Sequence, residues 1–314
     1  SVNGQEKRLI MKQPTVTAII PCFNSGRYIY EAVESVKLQR GNFALTAIII
    51  VDDGSDDAET REAFNELRKD PDVRIFPNRY SKGPAGARNT GIALVDSQWI
   101  AFLDADDILT PNSIATRIDA LCSSPGTKWC GGDFVKFYPD GSYEIDPIYR
   151  SGQKYSLAFE GYAFDKPLLL ERPVKYFLKK MITWMGAVLI RTDVLKDCNG
   201  FNEALFQSED NNLFIRIALN HAFLFVPDVV LAKREHNDSL TRQKWPPNHW
   251  TTKNFRSLLK DPAFKPYDRF IRRRLKHQYR INYEFHLKHR QYLRYLKNRA
   301  WHTYFKASKH LNSS

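Results

Sequence analysis

Three carboxylates, Asp104, Asp106 and Asp107, close the run W-I-A-F-L-D-A-D-D at Trp99–Asp107. Crowded carboxylates repel one another, and a divalent cation relieves the repulsion. Hard oxygen ligands suit magnesium or manganese, which in turn suit a diphosphate. The same acids also fit a plainer reading, as favourable charges at the start of a helix over Pro111 to Leu121. A second acidic cluster, Asp52-Asp53-Gly54-Ser55, follows another apolar run. Asp53 is either an acceptor for a nucleobase N–H or a turn residue before Gly54. A third, Glu209-Asp210, precedes an amphipathic stretch over Asn212 to Leu219. From spacing alone it reads as a helix-capping pair with Ser208 as cap.

Other residues join these by position. Pro21-Cys22-Phe23-Asn24 ends the first apolar run, and Phe23 offers a base-stacking ring or a core side chain. Arg88 opens a small-residue helix, where it either neutralises a phosphate or lies on a solvated face. His236, in Arg234-Glu235-His236, is a metal or phosphate ligand or a surface histidine. Trp184-Met185 stands in a loop entering a strand.

The elements that must position these groups alternate. Strands are predicted over Val16–Ile20, Thr46–Val51, Val73–Phe76 and Trp99–Leu103, with helices over Arg27–Leu38, Glu59–Arg68 and from Gly83 to Leu94. A short helix over Val194–Cys198 is stopped by Gly200. Strands separated by helices of this length imply right-handed βαβ units and a mostly parallel sheet. In such a sheet the carboxyl ends of the strands share one rim, where ligands sit. An aromatic, a base-reading acid, an arginine and metal-binding acids on one rim make a nucleotide site. No G-x-G-x-x-G follows the first strand and no P-loop is present.

At 43% apolar, the 314 residues can build a real core. No stretch approaches the ~18 apolar residues of a membrane span. Cys22, Cys122, Cys130 and Cys198 lack zinc or C-x-x-C spacing, as expected of reduced thiols in a cytosolic protein. Ser1–Ile10 are polar, and Met11 is the expected native start. The net charge of +12 is concentrated. Residues 251–314 hold 17 Lys and Arg against 3 Asp and Glu, while the remainder holds 30 against 32. The expected division is a catalytic domain over 11–245 and a basic, aromatic-rich helical region over 246–314, with Pro246-Pro247 at the join. Ile271, Leu275, Tyr279 and Tyr283 fall at i, i+4 spacing among arginines, with Tyr292, Leu293, Leu296 and Trp301 beyond. Such helices suit an anionic membrane surface, and docking onto the catalytic domain is the alternative.

The runs V-T-A-I-I-P-C-F-N-S-G-R-Y-I-Y-E-A-V-E-S-V, I-I-I-V-D-D-G-S-D-D, G-A-R-N-T-G-I and F-L-D-A-D-D resemble a family 2 glycosyltransferase in order and spacing, over about Thr15 to Ser239. The resemblance implies the GT-A fold, a nucleotide-sugar donor with UDP favoured, a divalent cation (Mn2+ or Mg2+) and inversion at the anomeric carbon. It implies that Pro21, Phe23 and Asp53 contact the base, with Asn24 beside them. It places Arg88, Asp104 and Ala105 by the diphosphate, ribose or sugar, and Asp106 on the metal, with His236 completing that site or touching a phosphate. Asp210 is then the catalytic base, with Arg216 in its helix and with Trp184, Met185 and Glu209 on the acceptor side. The aromatic usual after the acid pair is replaced by Asn211-Asn212.

The implied acceptor is a glycan or lipid-linked hydroxyl, in bacterial surface polysaccharide synthesis at the cytoplasmic face of the membrane. The Q-x-x-R-W signature of processive synthases is absent. A sugar nucleotidyltransferase would share the nucleotide rim, but its glycine-rich basic loop after the first strand is missing. A nucleic-acid-binding protein would use the basic region and need no D-x-D, so no nucleic-acid partner is expected.

Overall fold

Two β-branched runs form the centre of the sheet. β1 (Thr15–Cys22) and β2 (Ala44–Asp52) pair in parallel, and Ile19, Ile20, Ile48, Ile49 and Ile50 are almost wholly shielded from water. Burying each such side chain contributes roughly 1.5–3 kcal/mol. The structure is a computed structural model and describes residues 13–138, 140–143, 165–236, 249–288 and 292–307. Between these strands runs α1 (Tyr28–Lys37), with Ile29, Val33 and Val36 inward. α2 (Ala58–Leu67) is capped by Asp57, whose carboxylate accepts from Thr60 N. It leads to β3 (Val73–Pro77), parallel to β2.

α3 (Pro84–Ala93) lies tight on the sheet because its residues are small. A Cβ on Gly86 would stand 1.9 Å from the Ser81 carbonyl oxygen, so only glycine fits there. Gly83, at φ 120°, makes the turn into the helix in a region few other residues adopt. β4 (Trp99–Phe102) pairs in parallel with β1, and the short β5 (Ile108–Leu109) follows it. The helix expected from Pro111 is α4 (Ser113–Cys122). β5 separates it from the three acids, so they do not cap it.

The second half adds β6 (Trp129–Phe137), β7 (Leu168–Leu170), α5 (Val174–Lys179), β8 (Val188–Arg191), α6 (Thr192–Asp197), α7 (Glu209–Ala218) and β9 (Phe223–Arg234). The sheet order is β3-β2-β1-β4-β8-β6-β9-β5, with β7 on β9. The four longest pairings are parallel and the four short ones antiparallel.

Three helices complete the described chain: α8 (His249–Lys260), α9 (Asp268–Lys288) and α10 (Tyr292–Ala307). The expected boundary at 245/246 lies outside the described residues. Phe255, Leu258, Phe264, Ile271, Leu275 and Tyr279 join the same hydrophobic cluster as the sheet. Trp301 of α10 stacks on Tyr279 with ring centroids 5.9 Å apart. The Ile271–Leu275–Tyr279 part of the apolar face that the sequence offered to a membrane is thus spent on docking, while Leu296 of α10 stays exposed.

Candidate active site

The parallel strands β1, β2 and β4 end on one rim, and backbone geometry ties the ends together: Asp53 N donates to the Cys22 carbonyl at 2.8 Å. Asp53 accepts from Gly83 N (2.8 Å) and from Asn78 Nδ2 (2.6 Å). Each carboxylate oxygen has capacity for a further donor. Phe23 is 45% exposed, with Lys82 Nζ 4.4 Å from its ring centre, so it is not a core side chain. Asn24 adopts a left-handed φ of 49° and bonds Asp56 through its amide, pinning the loop after β1. Pro21 is half-buried beside it.

Arg88 is buried, which overturns the solvated-face reading. Its fork donates to Glu209 Oε1 at 2.7 Å and to Asp104 Oδ1 at 2.6 Å. The guanidinium also lies 5.4 Å from the Phe201 ring. Burial works against its charge, but Asp104 and Glu209 outweigh burial and hold it more firmly protonated than usual. One cation cannot balance all the acids around it. Burial, and then the charge of Asp210, push Glu209 up to about 7 against the pull of Arg88. Asp210 is raised too, chiefly by burial; the Asn211 N–H donated to its Oδ1 at 2.6 Å and the nearby Arg88 oppose this, while Asp104 adds to it. Both carboxylates of the pair thus hold a proton more readily than usual, which suits acid–base work.

The carboxylates after β4 divide their roles. Asp104 faces Arg88, and Ala105 is buried. Asp106 Oδ2 lies 2.7 Å from His236 Nε2. Asp107 is buried and accepts from Arg234 N at 2.9 Å; burial, with Asp106 and Asp104 nearby, raises it well above the usual range. Arg234 straps this turn to the end of β9. Its Nε donates to the Asp106 carbonyl (2.8 Å), its Nη2 to Glu31 (2.6 Å), and its guanidinium lies between Tyr28 and Phe137. Among the described residues no group of three or more His, Cys, Asp or Glu could hold a metal on its own. Asp106 and His236 do fit a divalent cation completed by diphosphate oxygens and water, the usual mode for magnesium.

The acceptor-side expectations divide. Trp184 is half-buried against Phe134 (5.1 Å between ring centres). Met185 is only 1% exposed, because it lies in the tight turn Met185–Ala187 feeding β8, and it offers no surface to an acceptor. Ser208 does not cap α7 with its side chain. It adopts φ 64°, its hydroxyl lies 3.3 Å from that of Thr251, and the helix starts at Glu209.

What holds the Glu209-Asp210 turn instead is a clasp that the sequence reading missed. Asn254 of α8 is fully buried; it accepts from Asn212 Nδ2 (2.8 Å) and donates to Asn211 Oδ1 (3.1 Å). Asn212 in turn accepts from Arg216 Nε (2.9 Å), and Arg216 donates to the carbonyls of Cys198 and Gly200 (2.6 Å each). A second latch ties the Phe201 loop to α3: Asn89 exchanges hydrogen bonds with the Phe201 backbone, and Glu203 accepts from Asn89 and Ser81 N. The signal for the clasp was the polar pair standing where the family has an aromatic.

This sheet order, with its acid-rich rim at the ends of β1, β2 and β4, defines the GT-A class of fold. The chain belongs to glycosyl transferase family 2, whose profile matches residues 17–197. It is 37% identical over 110 residues to the succinoglycan biosynthesis protein ExoO of Rhizobium meliloti, covering 35% of this chain and 30% of that one. It is 35% identical over 106 residues to the Escherichia coli UDP-Glc:alpha-D-GlcNAc-diphosphoundecaprenol beta-1,3-glucosyltransferase WfgD, covering 34% of this chain and 40% of that one. The chain spans less than half the length of these curated relatives. The mannosyltransferase PcManGT from Pyrobaculum calidifontis, in complex with GDP-Man and Mn2+, superposes with a TM-score of 0.59 at 15% identity, over 94% of this chain and 85% of that one. At that identity the likeness shows the fold.

Proposed function

We propose that this protein moves a sugar from a nucleotide-sugar donor, with a UDP-sugar favoured, to a hydroxyl of a glycan or lipid-linked acceptor, inverting the anomeric carbon. The observation that carries the reading is the meeting of Arg88 with Asp104 and Glu209 on the rim that also holds Asp53 and the Asp106–His236 pair. Bacterial surface polysaccharide synthesis is the setting, supported by the names of ExoO and WfgD.

In this reading Asp53 reads the base, with Phe23 stacking beneath it, and Pro21 and Asn24 shape the loop. Arg88 and Asp104 orient the diphosphate end of the donor. Asp106 and His236 hold a divalent cation, Mn2+ or Mg2+, which when bound neutralises charge on the leaving diphosphate. Asp210 takes the proton of the acceptor hydroxyl as it attacks the face opposite the leaving group. General-base help of this kind is worth roughly 10²–10⁴-fold. Glu209 anchors Arg88 beside it. The helices α8, α9 and α10 are the appendage of the catalytic unit and carry its basic face to the membrane. The contact in this reading is peripheral, and no described helix is long and apolar enough to cross a membrane.

The test is a panel of labelled UDP- and GDP-sugars incubated with Mn2+. Release of a nucleoside diphosphate from one of them, slowly to water and faster with acceptor, is expected. Pyrophosphate exchange would point to a nucleotidyltransferase, and no cleavage or binding of any sugar nucleotide would refute the reading.

A further inference from the structure

The docking of α9 leaves its opposite side unspent. While Ile271, Leu275 and Tyr279 face the core, Arg269, Arg273, Arg280 and Lys288 all stand exposed on the outer side, with one acid, Glu284, among them. Two apolar side chains share that stripe: Phe270 at 43% exposure and Leu287 at 47%. The stripe continues onto α5, which packs against α9. Lys175 Nζ lies 5.4 Å from the Phe270 ring centre, and Tyr176 beside it is 38% exposed. Arg172 and Lys179, at either end of α5, are exposed as well.

We infer that this composite face of α5 and α9, and not the Ile271–Leu275–Tyr279 face, rests on an anionic lipid bilayer. The inference builds on the proposed peripheral contact and says which surface makes it. Twenty-one residues give α9 a length of about 31 Å. Along the axis Arg269, Arg273, Arg280 and Lys288 follow one another at about 6, 11 and 12 Å, so they form one row that meets a charged surface together. Phe270 and Tyr176 sit where interfacial aromatics sit, between charge and hydrocarbon. A phosphodiester backbone would reward the arginines and leave Phe270 and Leu287 in water. A bilayer rewards both.

Sedimentation of the full chain with extruded vesicles tests this, using pure phosphatidylcholine and a mixture containing phosphatidylglycerol. The chain is expected to pellet with the anionic vesicles only. Each Lys or Arg near such a surface is worth about fivefold in partitioning, so Arg269→Gln with Arg273→Gln should weaken binding about 25-fold. Phe270→Ser should weaken it further. All three positions are exposed, so the melting temperature should hold. Arg68→Gln with Lys69→Gln, exposed just past the end of α2, lowers the net charge equally and should change binding by less than about twofold. Failure of the wild type to bind anionic vesicles would overturn the inference. So would unchanged binding by the α9 variants, an equal loss in the α2 control, or displacement of vesicles by a short random-sequence duplex. Donor cleavage is read separately in solution, so the two readings fail independently.

Discussion

Arg88 on α3 and Glu209 on α7, 121 residues apart in the chain, are joined by a 2.7 Å hydrogen bond between side chains that are 4% and 9% exposed. The same guanidinium holds Asp104. This one residue therefore ties the Asp104 end of the rim to the turn that carries Asp210. A lysine, a single point charge, has no fork with which to hold both acids.

The first expectation concerns pH. Burial raises Glu209 from 4.5 to about 7, so the native state holds its proton more tightly than the unfolded chain. The stability from this group is full below about 4.5 and is lost as pH rises through about 7. Glu209→Gln removes that dependence. Denaturant midpoints at pH 5 and pH 7 should therefore fall more steeply in the wild type than in the variant. Parallel curves would contradict the assignment.

A second expectation concerns the cation. Calorimetric binding of the donor should strengthen with Mn2+ in the wild type and become indifferent to it in Asp106→Ala. His236→Ala should show the weaker version of the same loss. Full activity in EDTA would sink the metal role of this pair.

Asp53 gives a third. Its removal leaves a donor N–H unpaired, at a cost of ~1–3 kcal/mol. Asp53→Ala should weaken donor binding at least several-fold, partly through the loop that Gly83 N and Asn78 anchor to it. Unchanged affinity would refute base reading.

The fourth concerns the clasp. Asn254→Leu fills a similar volume but strands Asn211 and Asn212 in a buried site, at a cost of about 1–3 kcal/mol. A lower melting temperature is expected, with turnover falling more than donor affinity, because the clasp touches the Asp210 turn and not the donor rim. Equal losses in both would reduce Asn254 to a packing residue.

Much of this was legible in the chain. β1, β2, β3 and β4 announced themselves as apolar, β-branched runs, and parallel pairing then forced Asp53 and Asp104 onto one rim. β6 and β9 were hidden because each carries a residue that reads as a breaker. Gly131-Gly132 sits within β6, and Pro227 lies in β9 where their register shifts around Asp133. The left-handed Ser208 was equally invisible, since a serine before two acids has the composition of an ordinary cap. The burial of Asp107 under Arg234, 127 residues further on, and the docking of α9 against α5 and α8 by the stripe that looked like a membrane face follow from packing between separate elements. No local pattern encodes them.

The central claim is that Asp210 takes the acceptor proton, and its amide tests that most directly. Asn keeps the shape of Asp and an oxygen to accept from Asn211 N, so Asp210→Asn should leave the melting temperature and donor affinity unaltered. Sugar transfer, measured on the same preparation at saturating donor, should fall by roughly 10²-fold or more. Transfer at the wild-type rate with normal melting would leave Asp210 a structural acid and move the search for the base to Glu209.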